Sequence, residues 1–247
     1  MTLWGYLLLI SVVAGGGLVG YYLHKKAGSL LPMVLSFSGA YILGITVLHL
    51  LPEVMTGASH KVGYWLLAGF FVQLLLEQLS QGVEHGHIHG RHHARKGFAV
   101  QVMAGLCLHA FIEGMPLSHY GHLHEAVTHG ADHLKGTHLL IGVALHKAPA
   151  AFALAALLLH SGFRKTFVFT CLGCFALMSP LGALLSSLMT LSLDQIQWLL
   201  AFVIGSFLHI STTILFESDS PGKHAISFRK VLTILLGLGF SLATTLL

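Results

Sequence analysis

Two short strings carry the ionisable chemistry of this chain: LHAFIEGMP at Leu108–Pro116 and LHKAPAAF at Leu145–Phe152. Each sets charged or titratable side chains inside a run of otherwise apolar residues. His109 and Glu113 are four apart, so a helix presents them on one face. His146 and Lys147 lie in the second string. Ionisable groups at membrane depth are costly and mark an ion or substrate path by default. Histidine with carboxylate is also the ligand chemistry of a divalent transition metal. The primary expectation is therefore a metal site formed by His109, Glu113 and His146.

Those residues need elements to hold them. Only 9% of the 247 residues are charged, where soluble domains carry about 25%, and the mean hydropathy is +0.79. These values predict an all-α polytopic membrane protein, residues 1–247 forming one transmembrane transport domain. A bilayer core needs about 20 apolar residues per helix. Eight runs qualify: Leu3–Leu23, Leu31–Leu51, Val62–Ser80, Phe98–Leu117, His138–His160, Thr166–Met189, Ile196–Phe216 and Phe228–Leu247. The first is longer than a usual signal-peptide core and is read as a span.

Basic residues give the orientation. The loops after spans one, three, five and seven hold Lys25, Lys26, Arg91, Arg95, Lys96, Arg164, Lys165, Lys223, Arg229 and Lys230, and the opposite loops hold only Lys61 and Lys135. That asymmetry places both termini outside a cell membrane. The net charge of +4 sits in these loops and predicts no nucleic-acid partner. Cys107, Cys171 and Cys174 lie in apolar runs and are read as packing residues rather than a disulfide or redox pair.

Depth links the two strings. His109 is seven residues before Pro116 and His146 is eight after His138. At 1.5 Å per residue both lie about 10–12 Å below the outer surface, so neighbouring antiparallel spans four and five bring them level. Pro149 and Pro116 predict kinks that free the carbonyls of Leu145 and Ile112. Lys147 needs a carboxylate partner at this depth, and Glu113 is the nearest candidate.

Other groups extend a path. His49 and Glu53 form a second i, i+4 pair at the outer end of span two, as an entrance or as a solvated interfacial pair. Glu77 near the inner end of span three has the reach to snorkel. His209 lies mid-span in FLHISTT, where Ser211, Thr212 and Thr213 are able to bond backbone carbonyls of their own helix. Glu217 ends span seven. Two histidine-rich loops, Glu84–Lys96 inside and Ser118–His138 outside, read as weak metal-handling segments. The outer loop holds His119, His122, His124, His129, His133 and His138.

These strings resemble the ZIP (Zrt/Irt-like) family of divalent-metal transporters along the whole chain. The family's span-four signature is H-N-x-x-D/E-G, against His109, Ala110, Phe111, Ile112, Glu113 and Gly114 here. Its span-five signature is H-E-x-P-H-E, against His146, Lys147, Ala148, Pro149, Ala150 and Ala151. HLLPE in span two and GSFLHIS in span seven also resemble family strings. The resemblance implies a 3+2+3 bundle, spans four and five held between two inverted triplets. It also implies a two-metal centre whose second metal uses an Asn and a Glu, replaced here by Ala110 and Lys147, and a bridging position that is Ala150. One metal position is therefore expected, with Lys147 standing in for the second cation.

The expected function is import of a divalent metal toward the cytosol, Zn²⁺ first, with Fe²⁺, Mn²⁺ or Cd²⁺ as other cargo. No catalytic cofactor and no enzyme activity are expected. The other readings are an intramembrane zinc-dependent hydrolase and a non-transporting metal sensor. Partners are the metal ions and the lipid bilayer, with a homodimer left open.

Overall fold

In hydrocarbon every backbone donor and acceptor needs an internal partner, so a long apolar run is stable only as helix. The structure, a computed structural model, describes residues 1–56, 59–80, 82–83, 96–121, 123, 138–216 and 227–246. It contains eight long helices. They are α1 (Leu3–Leu23), α2 (Ala27–Ile45), α3 (Lys61–Ser80), α4 (Lys96–Gly114), α5 (His138–His160), α6 (Lys165–Ser187), α7 (Leu193–Phe216) and α8 (Phe228–Leu246). Seven are long and apolar enough to cross a membrane. The eighth, α8, carries Arg229 and Lys230 in its first turn and packs along α2, with Leu235, Leu236 and Leu242 exposed on its other side. The chain is an all-α multi-pass membrane protein.

Several boundaries shift. α2 begins earlier than expected and does not stop at Leu51. A π-helical turn, Thr46–Leu50, carries it into a further helical turn, Leu51–Met55. α3, α4, α6 and α7 each start one to three residues before the expected run, because polar N-terminal residues join a helix without being apolar. Pro149 does not interrupt α5, which is helical from His138 to His160. Pro116 ends a helix instead of kinking one: α4 stops at Gly114 and a 3₁₀ turn, Met115–Ser118, follows.

Most of the histidine-rich segments Glu84–Lys96 and Ser118–His138 lies outside the described residues, as do Glu217 and Lys223. Of the outer segment, His119 and His138 are described. The three cysteines are free. Cys171 is buried and Cys174 exposed, so the two do not share one environment.

The helices form two groups. α1, α4, α5 and α6 pack mainly on one another, and so do α2, α3, α7 and α8. The four most extensive pairs are α3 on α7, α1 on α5, α2 on α8 and α4 on α6. Exchanging α1 with α6, α2 with α7, α3 with α8 and α4 with α5 turns the first pair into the third and the second into the fourth. Two inverted triplets around a central pair have this property. α5 is buried on nearly all sides, as a bundle's central helix is. Its alanines between Ala150 and Ala156 let neighbours approach closely. Two apolar clusters meet along it, one holding Leu139, Val143 and Ala144, the other Ala150–Leu158. His146 and Lys147 fall between them.

Close approach is built from glycine. A Cβ on Gly114 would lie 2.3 Å from the Ser179 carbonyl oxygen, and one on Gly182 would lie 2.1 Å from that of Phe111. α4 and α6 therefore touch backbone to backbone beside Glu113. Gly114→Ala should force them apart at an overpacking cost of about 1–3 kcal/mol. We expect a lower thermal midpoint in detergent. An unchanged midpoint would show that α6 yields freely there.

Candidate metal centre

α4 delivers His109 and Glu113 from one face and α5 delivers His146. One ligand atom from each lies within 4.8 Å of the others, and all three residues are buried. The His109 and His146 rings stand edge to face, with centroids 5.8 Å apart. Zinc bonds of about 2.0–2.1 Å in tetrahedral geometry place ligand atoms about 3.3 Å apart. Modest side-chain rotation brings the three donors to that spacing.

The outer shell fixes how they face. His109 Nδ1 lies 2.8 Å from the side-chain oxygen Oε1 of Gln73, to which the Ser206 hydroxyl also donates, at 2.9 Å. An amide oxygen only accepts, so Nδ1 carries the proton and Nε2 keeps its lone pair. That Nε2 is 3.1 Å from Glu113 Oε2. Two acceptors this close repel unless a cation, either a proton or a metal ion, sits between them. Gln73 on α3 and Ser206 on α7 thus orient His109 on α4.

Glu113 divides its two oxygens. Oε2 faces His109. Oε1 meets Lys147 Nζ at 2.6 Å and lies 3.3 Å from the Ser179 hydroxyl, whose nearer acceptor is the Ala110 carbonyl at 2.5 Å. Lys147, itself buried, also lies over the Phe175 ring, 4.7 Å from its centroid. Its expected partner is the observed one. α4 and α5 touch directly over only a short stretch, so these side chains form much of their junction.

The path candidates form two further pairs. Glu77 Oε2 and His209 Nε2 lie 2.5 Å apart, one helical turn beyond Gln73 and Ser206 on the same helices. Glu77 is thus held by a histidine rather than directed outward alone. The hydroxyls beside His209 do bond their own helix: Thr212 donates to Leu208 and Thr213 to His209. At the other end, Glu53 is buried and accepts from the Tyr120 hydroxyl at 2.7 Å, so it is not simply solvated. Burial, then the carboxylate beside it, pushes the Tyr120 phenol above its ordinary pKa, which keeps it a donor. His119 donates from Nε2 to the Ser186 carbonyl at 2.8 Å and ties the 3₁₀ turn to α6.

Sequence reading missed Gln73, Ser179, Phe175 and Ser206. One signal was available for Gln73: it is a polar residue four before Glu77 in an apolar run, hence on the same face. A serine in a membrane helix carries no such signal, because it can satisfy itself on its own backbone.

The family described as ZIP Zinc transporter matches residues 85–244, well over half of the chain. The chain belongs to the ZIP family. Among curated relatives it is similar to zinc transporter ZIP9 of Micropogonias undulatus, 26% identical over 66% of this chain and 53% of that protein. It is 30% identical to zinc transporter ZIP1 of Takifugu rubripes, over 65% of this chain and 52% of the relative. It is 28% identical to zinc transporter ZIP9-A of Xenopus laevis, over 67% and 59%. The ZIP chain spans about half the length of the relatives it matches. Its departures from the family strings are physical as well as alphabetical. Ala110 offers no ligand, and Lys147 puts an ammonium against Glu113.

Proposed function

We propose that this ZIP chain carries divalent transition metal ions, zinc foremost, across a cell membrane toward the cytosol, through a site made of His109, Glu113 and His146. The observation that carries the reading is the buried convergence of two imidazoles and a carboxylate within 4.8 Å. The similarity to zinc transporters supports the cargo. Iron, manganese and cadmium suit the same mixed ligands less selectively. The asymmetry of Lys and Arg between loops supports an orientation with both termini outside. The ion enters beside His49 and Glu53, sheds water at the His/Glu trio and leaves past Glu77 and His209. Rocking of the two helix groups opens one side and then the other.

Hydrolysis is the weaker reading. It needs a carboxylate free to activate water, and Glu113 is engaged by Lys147 and Ser179 while turning its other oxygen to His109.

Purified protein in proteoliposomes tests the proposal directly. We expect saturable zinc uptake, with cadmium and iron competing. Vesicles that take up no divalent metal above empty controls would refute transport. The loops give a separate expectation. Replacing the histidines of residues 84–95 should change apparent affinity by less than about tenfold, since a histidine-rich tract reads as a weak metal-binding segment. Complete loss of uptake would make that segment part of the path.

A further inference from the structure

The outer end of the bundle holds a histidine pair that the metal centre does not use. His49 lies inside the π-helical turn Thr46–Leu50. Such turns are rare irregularities in α-helices and are frequent at functional sites. The turn brings the His49 ring to 4.1 Å, centroid to centroid, from the ring of His138, at 76°. His138 is the first residue of α5 and is buried. Glu53 follows His49 by one helical turn, and its carboxylate is buried at the same end.

A second observation joins this pair to the centre. His138, Gly142 and His146 occupy positions i, i+4 and i+8 of α5, which is one face of one helix. The histidines are two turns, about 12 Å, apart along the axis. Gly142 between them is buried, yet a Cβ placed on it would meet no atom of the described residues within 4 Å. Gly16, on α1, shows the contrast: a Cβ there would lie 2.4 Å from the Ala148 carbonyl oxygen. Gly142 thus puts no side chain on the face of α5 between His138 and His146.

We infer that His49 and His138 form a second divalent-metal site, an outer station from which an ion passes along Gly142 to His146. Two imidazoles suit zinc and cobalt, and water completes the shell. The neighbouring Glu53 charge favours a cation there. Two protein ligands hold an ion less tightly than three, which suits a station that must release its ion inward. The inference rests on the transport reading for its direction, and on the histidine pair for its existence.

The test uses the full chain with the histidines of residues 84–95 and 122–133 replaced by serine. Zinc bound at equilibrium in detergent is counted by elemental analysis. His138→Gln and His49→Gln should each lose one equivalent relative to this parent. Glu113→Gln should also lose one equivalent, and Glu113→Gln with His138→Gln should lose two. An unchanged count in His138→Gln, with the variant eluting as the parent does, overturns the outer site. Gly142→Leu should keep the parent's count and slow uptake at least tenfold, and undiminished uptake overturns the lane. Should that variant aggregate, Gly142→Cys serves instead. Its thiol should react with a small water-soluble methanethiosulfonate in zinc-free buffer, and no reaction overturns the lane. A parent that loses one equivalent on His138→Gln but takes up no metal overturns transport and leaves the site standing. Intact uptake with an unchanged count overturns the site alone.

Discussion

His146→Ala and His109→Ala should each lower zinc uptake by at least about a hundredfold, with the protein still eluting as a folded species. Loss of groups that merely orient a metal ligand costs about 10–100-fold, and loss of a ligand costs no less. The same scale ranks the neighbours. Gln73→Ala leaves His109 in place but frees its ring to turn, so a fall of about 10–100-fold is expected. For the carboxylate, Glu113→Gln is the cleaner change. Glu113→Ala would leave the Lys147 ammonium buried without its partner at 2.6 Å. Stranding a buried charge costs about 3–5 kcal/mol, so loss of fold and loss of ligand would be confused. Uptake measured per folded molecule decides the matter. A well-folded His146→Ala chain that transports zinc at the parental rate would remove α5 from the site. It would also end the convergence argument.

Lys147→Glu should add one bound metal ion per chain. In the structure the ammonium occupies the side of Glu113 that faces away from His109, engaging Oε1 while Oε2 turns to the proposed ion. With an ion bound, one carboxylate would serve two cations, the Lys147 ammonium being permanent. At about 4 Å and an effective dielectric of about 20, unit charges interact by about 4 kcal/mol. Replacing the attraction by a repulsion of similar size makes the variant unstable until a second cation enters. In zinc-free buffer its thermal midpoint should therefore fall below the parent's, and zinc should restore it, since ligand that binds the folded state stabilises it. Elemental analysis beside the parent should read one additional equivalent. Lys147→Met, which removes the charge without adding a ligand, should gain none. An unchanged count in Lys147→Glu, with the variant folded, would show that the missing asparagine at Ala110 alone forbids a second ion.

The chain's own order of residues was enough for the membrane class and for the grouping of His109, Glu113 and His146, and the reason is energetic. Apolar runs must become helices in hydrocarbon, and a histidine or glutamate inside one is too costly to be incidental. His109 and Glu113 were linked by local spacing alone. His146 was linked by counting residues from two helix ends, which works because helix rise is constant. Lys147 and Glu113 were paired by charge. The His209–Glu77 contact was not predicted, although both residues were, because α3 and α7 are separated by more than a hundred residues and no local rule sets their register. Backbone contact at glycines sets it: a Cβ on Gly69 would lie 1.8 Å from the Phe202 carbonyl oxygen.

Tertiary structure alone decided what surrounds His109 and Glu113. Gln73 and Ser206 reach His109 from two other helices, and Ser179 reaches Glu113 from a third. Single polar residues in apolar runs do not announce their targets. The π turn that sets His49 against His138 was equally invisible, since the residues of Thr46–Leu50 read as ordinary helix. Pro116 illustrates the same division. Its missing N–H made a local disturbance certain, but whether the helix bends or ends depends on what packs against it. Here His119 ties the chain to Ser186 on α6, and α4 ends at Gly114. Local chemistry therefore named His109, Glu113 and His146, while the packing of distant helices chose their orientation and their partners.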